Sequence, residues 1–100
     1  MNKCLNMLGL CARARKIAVG TQAAGIAIKK GDARLVVIDE DASEETKKEF
    51  REASCAKNIP FIIMQGASLG DAVGKPGRRI AAVTDESFAD RIRQLYEMNV

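Results

Sequence analysis

The chain has 100 residues, is 47% hydrophobic and 29% charged, and carries a net charge of +3. This is the composition of an ordinary globular domain, expected to span residues 1–100 as one unit. No apolar run approaches the roughly 20 residues that a membrane helix needs, and polar Asn2, Lys3 and Asn6 break up any signal-peptide layout. The expected setting is therefore cytoplasmic, without membrane contact.

Asn2 is a candidate cap for a first helix that turns Cys4, Leu5, Leu8, Cys11 and Ala12 inward. Ile17–Val19 follows as a short strand. A second helix is expected from Thr21 to about Lys30, stopped by Gly31. Gly25 within it lowers helix propensity, which suggests close approach to a neighbour. Leu35–Ile38 is a continuous apolar run, as in a strand covered on both faces. Ser43 caps a third helix with Glu44 and Glu45 in its first turn and Phe50 and Ala53 inward, ending at Lys57 and Asn58 before Ile59 and Pro60. Phe61–Met64 is a second buried strand. Ser68 opens a short helix with Leu69, Ala72 and Val73, stopped by Gly74. After the turn at Lys75, Pro76 and Gly77 come a strand at Ile80–Val83 and a last helix, capped by Asp85, with Phe88, Ile92 and Leu95 on one face. Buried strands separated by helices imply an α/β fold, a three-layer α/β/α sandwich on a small mixed sheet of about four strands. The strand order does not follow from the pattern.

Reactive groups are few. There is no histidine to act as general base, and no CxxC pair, so a metal site has almost no ligands to draw on and no cofactor is expected. Cys4 and Cys11, seven apart, take core positions as small hydrophobes. Asp39, Glu40 and Asp41 follow a strand end, where α/β proteins place magnesium ligands or catalytic acids. The plainer reading, preferred here, is a loop whose acids satisfy backbone donors and the dipole of the next helix. Neither an enzyme nor a small-molecule substrate is expected.

Charge is unevenly spread. Residues 1–34 hold seven Lys or Arg against Asp32, and residues 39–52 hold seven acids against Lys47, Lys48 and Arg51. The basic run Arg13, Arg15, Lys16 leads into Gly20 and a helix start at Thr21 and Gln22. A helix N-terminus of this kind, with its first amides pointing outward, attracts anions, phosphate above all; the plainer reading of Thr21 and Gln22 is helix capping. A second turn presents Lys75, Arg78 and Arg79. If both turns share one end of the sheet they form a basic rim for RNA phosphates, with Gln22 in reach of a base edge. The candidate RNA-binding residues are thus Arg15, Lys16, Gly20, Thr21, Gln22, Lys75, Arg78 and Arg79. Phe50, Phe61, Phe88 and Tyr96 are the only aromatics, and three of them are expected inward, so a base-stacking platform is not.

The order of motifs resembles the L7Ae/L30e ribosomal protein family, in particular its short bacterial members related to kink-turn RNA-binding proteins. The matching pieces run along the whole chain. They are Leu8-Gly9-Leu10-Cys11-Ala12-Arg13-Ala14-Arg15-Lys16, then Gly20-Thr21, Gly31 and Leu35-Val36-Val37-Ile38-Asp39-Glu40-Asp41-Ala42-Ser43. Ile59-Pro60, Leu69-Gly70-Asp71-Ala72-Val73-Gly74-Lys75 and Ala82-Val83-Thr84-Asp85 ahead of Phe88-Ala89 complete the series. The resemblance implies an α/β/α sandwich that holds kink-turn or related RNA with the glycine-turn helix start and the loop before the last strand. The family pattern there is glycine, a small residue, asparagine, glutamate, and a lysine four positions after the asparagine. Here Gly20 and Thr21 match, while Gln22, Ala23 and Ile26 depart.

The expected function is therefore non-enzymatic binding of structured RNA, probed by a rim of two turns, in a ribosome-associated monomer. The alternative is a protein-interaction module on the same fold with RNA readout weakened or lost.

Overall fold

The computed structural model describes residues 3–64 and 69–98. In chain order it forms α1 (Lys3–Arg13), β1 (Ile17–Val19), α2 (Thr21–Lys30), β2 (Leu35–Asp39), α3 (Glu44–Ala56), β3 (Phe61–Met64), α4 (Leu69–Ala72), β4 (Ile80–Val83) and α5 (Glu86–Met98). The expected caps at Asn2 and Ser68 lie outside the described residues.

The apolar run Leu35–Ile38 is buried throughout because β2 lies inside a four-stranded sheet of order β1-β4-β2-β3. β4 pairs antiparallel with both β1 and β2, whereas β2 and β3 run parallel, so the sheet is mixed. Successive side chains alternate between two cores. Leu35, Val37, Ala81 and Val83 join Cys4, Leu8, Cys11, Leu69, Ile92 and Leu95 beneath α1, α4 and α5. Val36, Ile38, Ile80 and Ala82 join Ala24, Ala27, Ile28 and Phe50 beneath α2 and α3. That is the three-layer sandwich expected from the sequence.

β3 departs from expectation. An apolar tetrad reads the same at the middle of a sheet or at its margin, and Phe61, Ile62 and Ile63 are only half-buried because β3 is an edge strand. Arg51 lies over the Phe61 ring, 5.8 Å from its centroid, and covers part of that edge.

Three helices end alike. In each, a residue in the left-handed region lets two amides turn back onto the last helical carbonyls. At α2 this residue is Gly31 (φ 80°), with the amides of Gly31 and Asp32 donating to the carbonyls of Ile28 and Ala27. At α3 it is Asn58 (φ 58°), with Asn58 and Ile59 donating to Cys55 and Ser54. At α1 it is Arg15 (φ 60°), with Arg15 and Lys16 donating to Ala12 and Cys11. Two of the predicted helix starts hold as well. Ser43 accepts from the Thr46 amide at 3.1 Å, and the Asp85 carboxylate accepts from the Phe88 amide at 3.0 Å.

Cys4 and Cys11 are buried, as their spacing suggests. Burial, together with the nearby charge of Asp85, pushes the Cys11 thiol up to about 11. It stays protonated near neutral pH, where the thiolate is the reactive form, and donates to the Lys16 carbonyl at 3.2 Å.

Gly25 does not mark a close approach: a Cβ there would meet nothing within 4 Å. Gly25→Ala should therefore stabilise α2 by about 0.5–1 kcal/mol through helix propensity alone. Thermal melting should show a rise of a few degrees, and a fall would place an unseen constraint at this site. The close approach is instead at Gly70. A Cβ there would sit 2.6 Å from the Lys75 carbonyl oxygen and 2.8 Å from that of Arg78.

Candidate nucleic-acid interface

The end of β1 meets the start of β4. The Gly20 amide donates to the Ile80 carbonyl at 2.8 Å, which turns the chain sharply into α2. Gly20 has φ 104° and ψ 160°, a conformation essentially restricted to glycine. No side chain caps the helix that follows. The amides of its first turn, with the positive end of the dipole behind them, are left to solvent or an anion. Thr21 and Gln22 are exposed at this point.

The loop before β4 reaches the same place. The Arg78 side chain crosses Gly20, its Cδ 3.8 Å and its Nε 3.9 Å from where a Cβ would stand. Gly20, Thr21, Gly77, Arg78 and Arg79 line a cleft of about 280 Å³ together with Ala42, Ser43 and Thr46. The two turns that the sequence marked separately are thus brought into one rim. Lys75, Arg78 and Arg79 are all exposed. Arg79 lies 3.9 Å from Asp41, but both groups are largely in solvent, so the pair holds little free energy and leaves the guanidinium accessible. Among the described residues, Lys75 and Arg78 have no ion-pair partner.

Asp39 holds this arrangement together. Its carboxylate is buried and accepts from the Asp41 amide at 3.0 Å and from the Leu69 amide, at the start of α4, at 3.2 Å. Its own amide donates to the Arg79 carbonyl at 2.8 Å. Of the two readings of the acidic triplet, the structure supports the structural one, since this carboxylate serves backbone donors. No group of three or more metal-ligating side chains occurs among the described residues. From α4 the constraint passes on: the Lys75 amide donates to the Gly70 carbonyl at 2.8 Å, and the Arg78 amide to the Lys75 carbonyl at 3.2 Å.

Arg15 and Lys16 are not part of this rim. β1 runs between them and Gly20, with Ile17 opposite Val83 and Val19 opposite Ala81. At about 3.3 Å per residue, the extended strand carries Lys16 roughly 13 Å from Gly20, to the other end of the sheet. The expectation that all the cations share one neighbourhood is corrected on this point. Conversely, nothing in the order of residues points to Ser43 and Thr46 as part of the cleft lining. They line it because α3 starts where β2 ends, beside Arg79.

The sequence matches the ribosomal protein L7Ae/L30e/S12e/Gadd45 family over residues 2–92. The chain belongs to this family. It is 32% identical to the RNA-binding protein YlxQ of Enterococcus faecium over 96 residues, covering 95% of this chain and 92% of that one. To the RNA-binding protein YlxQ of Bacillus subtilis (strain 168) it is 35% identical over 92 residues, covering 91% and 92%. A solved structure of a protein of unknown function from Bacillus halodurans C superposes with a TM-score of 0.90 at 31% identity, covering 97% of this chain and 99% of that one. The Giardia lamblia 15.5kD RNA binding protein has the same fold, with a TM-score of 0.77 at 23% identity and 94% and 82% coverage.

Within the family pattern noted above, the positions that depart lie along the exposed side of α2. Gln22 is exposed, Ala23 half-buried, and Ile26 is 53% exposed where the pattern has lysine. An isoleucine in water at that place offers no charge to a phosphate. The aromatic residues are equally unavailable: Phe50 is buried, Phe61 lies under Arg51, and Phe88 and Tyr96 pack against the core. No helix among the described residues is long and apolar enough to cross a membrane.

Proposed function

We propose that this protein binds folded RNA without catalysis, through the rim of Gly20, Thr21, Gln22, Lys75, Arg78 and Arg79, and that its target is ribosomal. The observation that carries the reading is the convergence of an uncapped helix start with the Lys75–Arg79 loop, the Arg78 stem lying directly across Gly20. Amides and guanidinium groups then face one cleft, where they supply phosphate contacts that fix register on the RNA. Gln22 projects from the helix start and offers both a donor and an acceptor to a base edge. The naming of two relatives as RNA-binding proteins supports the same conclusion.

Recognition of a generic kink-turn is expected to be weak. Ala23 and Ile26 replace the family's glutamate and lysine, and each lost base-specific contact removes ~1–3 kcal/mol, by analogy with bidentate base readout in DNA. Filter binding should show deproteinised ribosomal RNA retained in preference to a standard kink-turn hairpin at physiological salt. Submicromolar binding that follows kink-turn identity would contradict the weak-readout claim. Absence of binding to either RNA would contradict the function itself.

A further inference from the structure

The cations that the fold removes from the rim assemble elsewhere. In the sheet, Ile17 and Leu35 both lie opposite Val83, from the two sides of β4. Lys16 and Arg34, one residue earlier on each strand, therefore flank Thr84, about 10 Å apart across two strand spacings. Their backbones are fixed. The Lys16 carbonyl accepts from the Thr84 amide at 2.9 Å and from the Cys11 thiol at 3.2 Å. The Arg34 amide donates to the Val83 carbonyl at 2.7 Å, and its guanidinium to the Gly31 carbonyl at 2.9 Å. Both side chains are exposed, as is that of Arg15.

Arg15 is the informative member. Of the three helix ends closed by a left-handed residue, α2 uses glycine and α3 asparagine, the two residues that tolerate this conformation best. α1 uses arginine, for which it is strained. Strain retained at an exposed position signals a requirement on the side chain. Helix dipoles account for Lys29 and Lys30 in the last turn of α2, and the Arg34 guanidinium also bonds the end of that helix at Gly31, but Lys16 stands on the loop that leads into β1. Acids do share this pole: Asp32, Asp85, Glu86 and Asp90. The Asp85 carboxylate is engaged with the Phe88 amide, and no ion pair joins any of the four to Arg15, Lys16 or Arg34 among the described residues.

We infer that Arg15, Lys16 and Arg34 form a second phosphate-binding face, at the opposite pole from the rim, that holds RNA backbone without reading its sequence. This rests on the RNA-binding reading above and extends it: one molecule grips two separate stretches of a folded RNA. RNA is the fitting occupant because three exposed cations on hydrogen-bonded backbone suit a row of phosphates, with only the small or polar Ala14, Gly31 and Asp32 beside them in the chain.

The test is filter binding of deproteinised ribosomal RNA across a KCl series. It compares the natural protein with Lys16→Gln/Arg34→Gln, Arg15→Gly and a rim variant, Lys75→Glu/Arg78→Glu. The double variant at the second face should lower the slope of log affinity against log salt by about 1.5–2, from the loss of two phosphate contacts. Arg15→Gly should lower it by about 1 while raising the melting temperature by about 2–5 °C, because glycine relieves the strained turn. That opposition between binding and stability is not expected of a merely structural arginine. Slopes equal to the natural protein's in both second-face variants, with a reduced slope in the rim variant, would overturn the inference and leave RNA binding intact. Unchanged RNA slopes together with lost binding of poly-L-glutamate by the second-face variants would assign the face to an acidic protein and overturn it equally. If the natural protein itself retains no RNA, the reading beneath the inference fails, and the inference with it.

Discussion

Reversing charge at Lys75 and Arg78 and neutralising Arg79 should reduce affinity for ribosomal RNA by two to three orders of magnitude, with the fold intact. All three side chains are exposed, and apart from the weak Arg79–Asp41 contact none has an ion-pair partner among the described residues, so their loss leaves no buried charge behind. Arg79 is changed to glutamine because a carboxylate beside Asp41 would add repulsion unrelated to RNA. A charge-assisted hydrogen bond contributes about 1.5–3 kcal/mol, so two such contacts account for a loss of this size. The salt slope should fall together with affinity, by about 2–3 for three phosphate contacts. Filter binding across a salt series measures both, and circular dichroism checks the fold. Affinity unchanged by the triple substitution would remove the rim from the RNA interface and favour a protein-binding role for the fold.

Gly70→Ala should be the most damaging single methyl in the molecule. The added carbon would lie 2.6 Å from the Lys75 carbonyl oxygen, 2.8 Å from the Arg78 carbonyl oxygen and 3.0 Å from the Arg78 amide nitrogen. All three are backbone atoms, so no side chain can rotate away. Either α4 lifts from the Lys75–Arg79 loop or the loop moves from Gly20. Overpacking of this kind costs about 2–4 kcal/mol, which for a domain of this size lowers the melting temperature by roughly 10–25 °C. RNA binding should fall as well at temperatures where the variant remains folded, because Arg78 is displaced from the cleft. The comparison with Gly25→Ala is the internal control: the same substitution in open space should have the opposite sign.

Local signals in the sequence were reliable where the physics is local. Ser43 and Asp85 accept from amides three residues on, Gly31 takes the left-handed position after α2, and Leu35–Ile38 is buried on both faces. These depend on neighbours within a turn or on continuous apolarity. Features set by distant pairing were not legible. The position of β4 between β1 and β2 comes from long-range ladders, and it decides that β3 is an edge and that Lys16 stands far from Gly20. Gly25 and Gly70 show the same limit: helix propensity singles out Gly25, and only the packing partner reveals that the constrained glycine is Gly70. Asp39 looked like potential chemistry because its type and strand-end position allow it. Its bond to the Leu69 amide, thirty residues away, is invisible in the linear chain. The site was therefore half readable: the glycine turn and the basic loop could be named from residue type, but not the α3 hydroxyls beside them.

The strand made last occupies an interior place in the sheet. Until Ile80–Val83 inserts between Ile17–Val19 and Leu35–Asp39, those two have no ladder in common and Gly20 has no carbonyl to close its turn. Residues ahead of Ile80 thus lack the pairing that sets the Gly20 turn beside the Lys75–Arg79 loop.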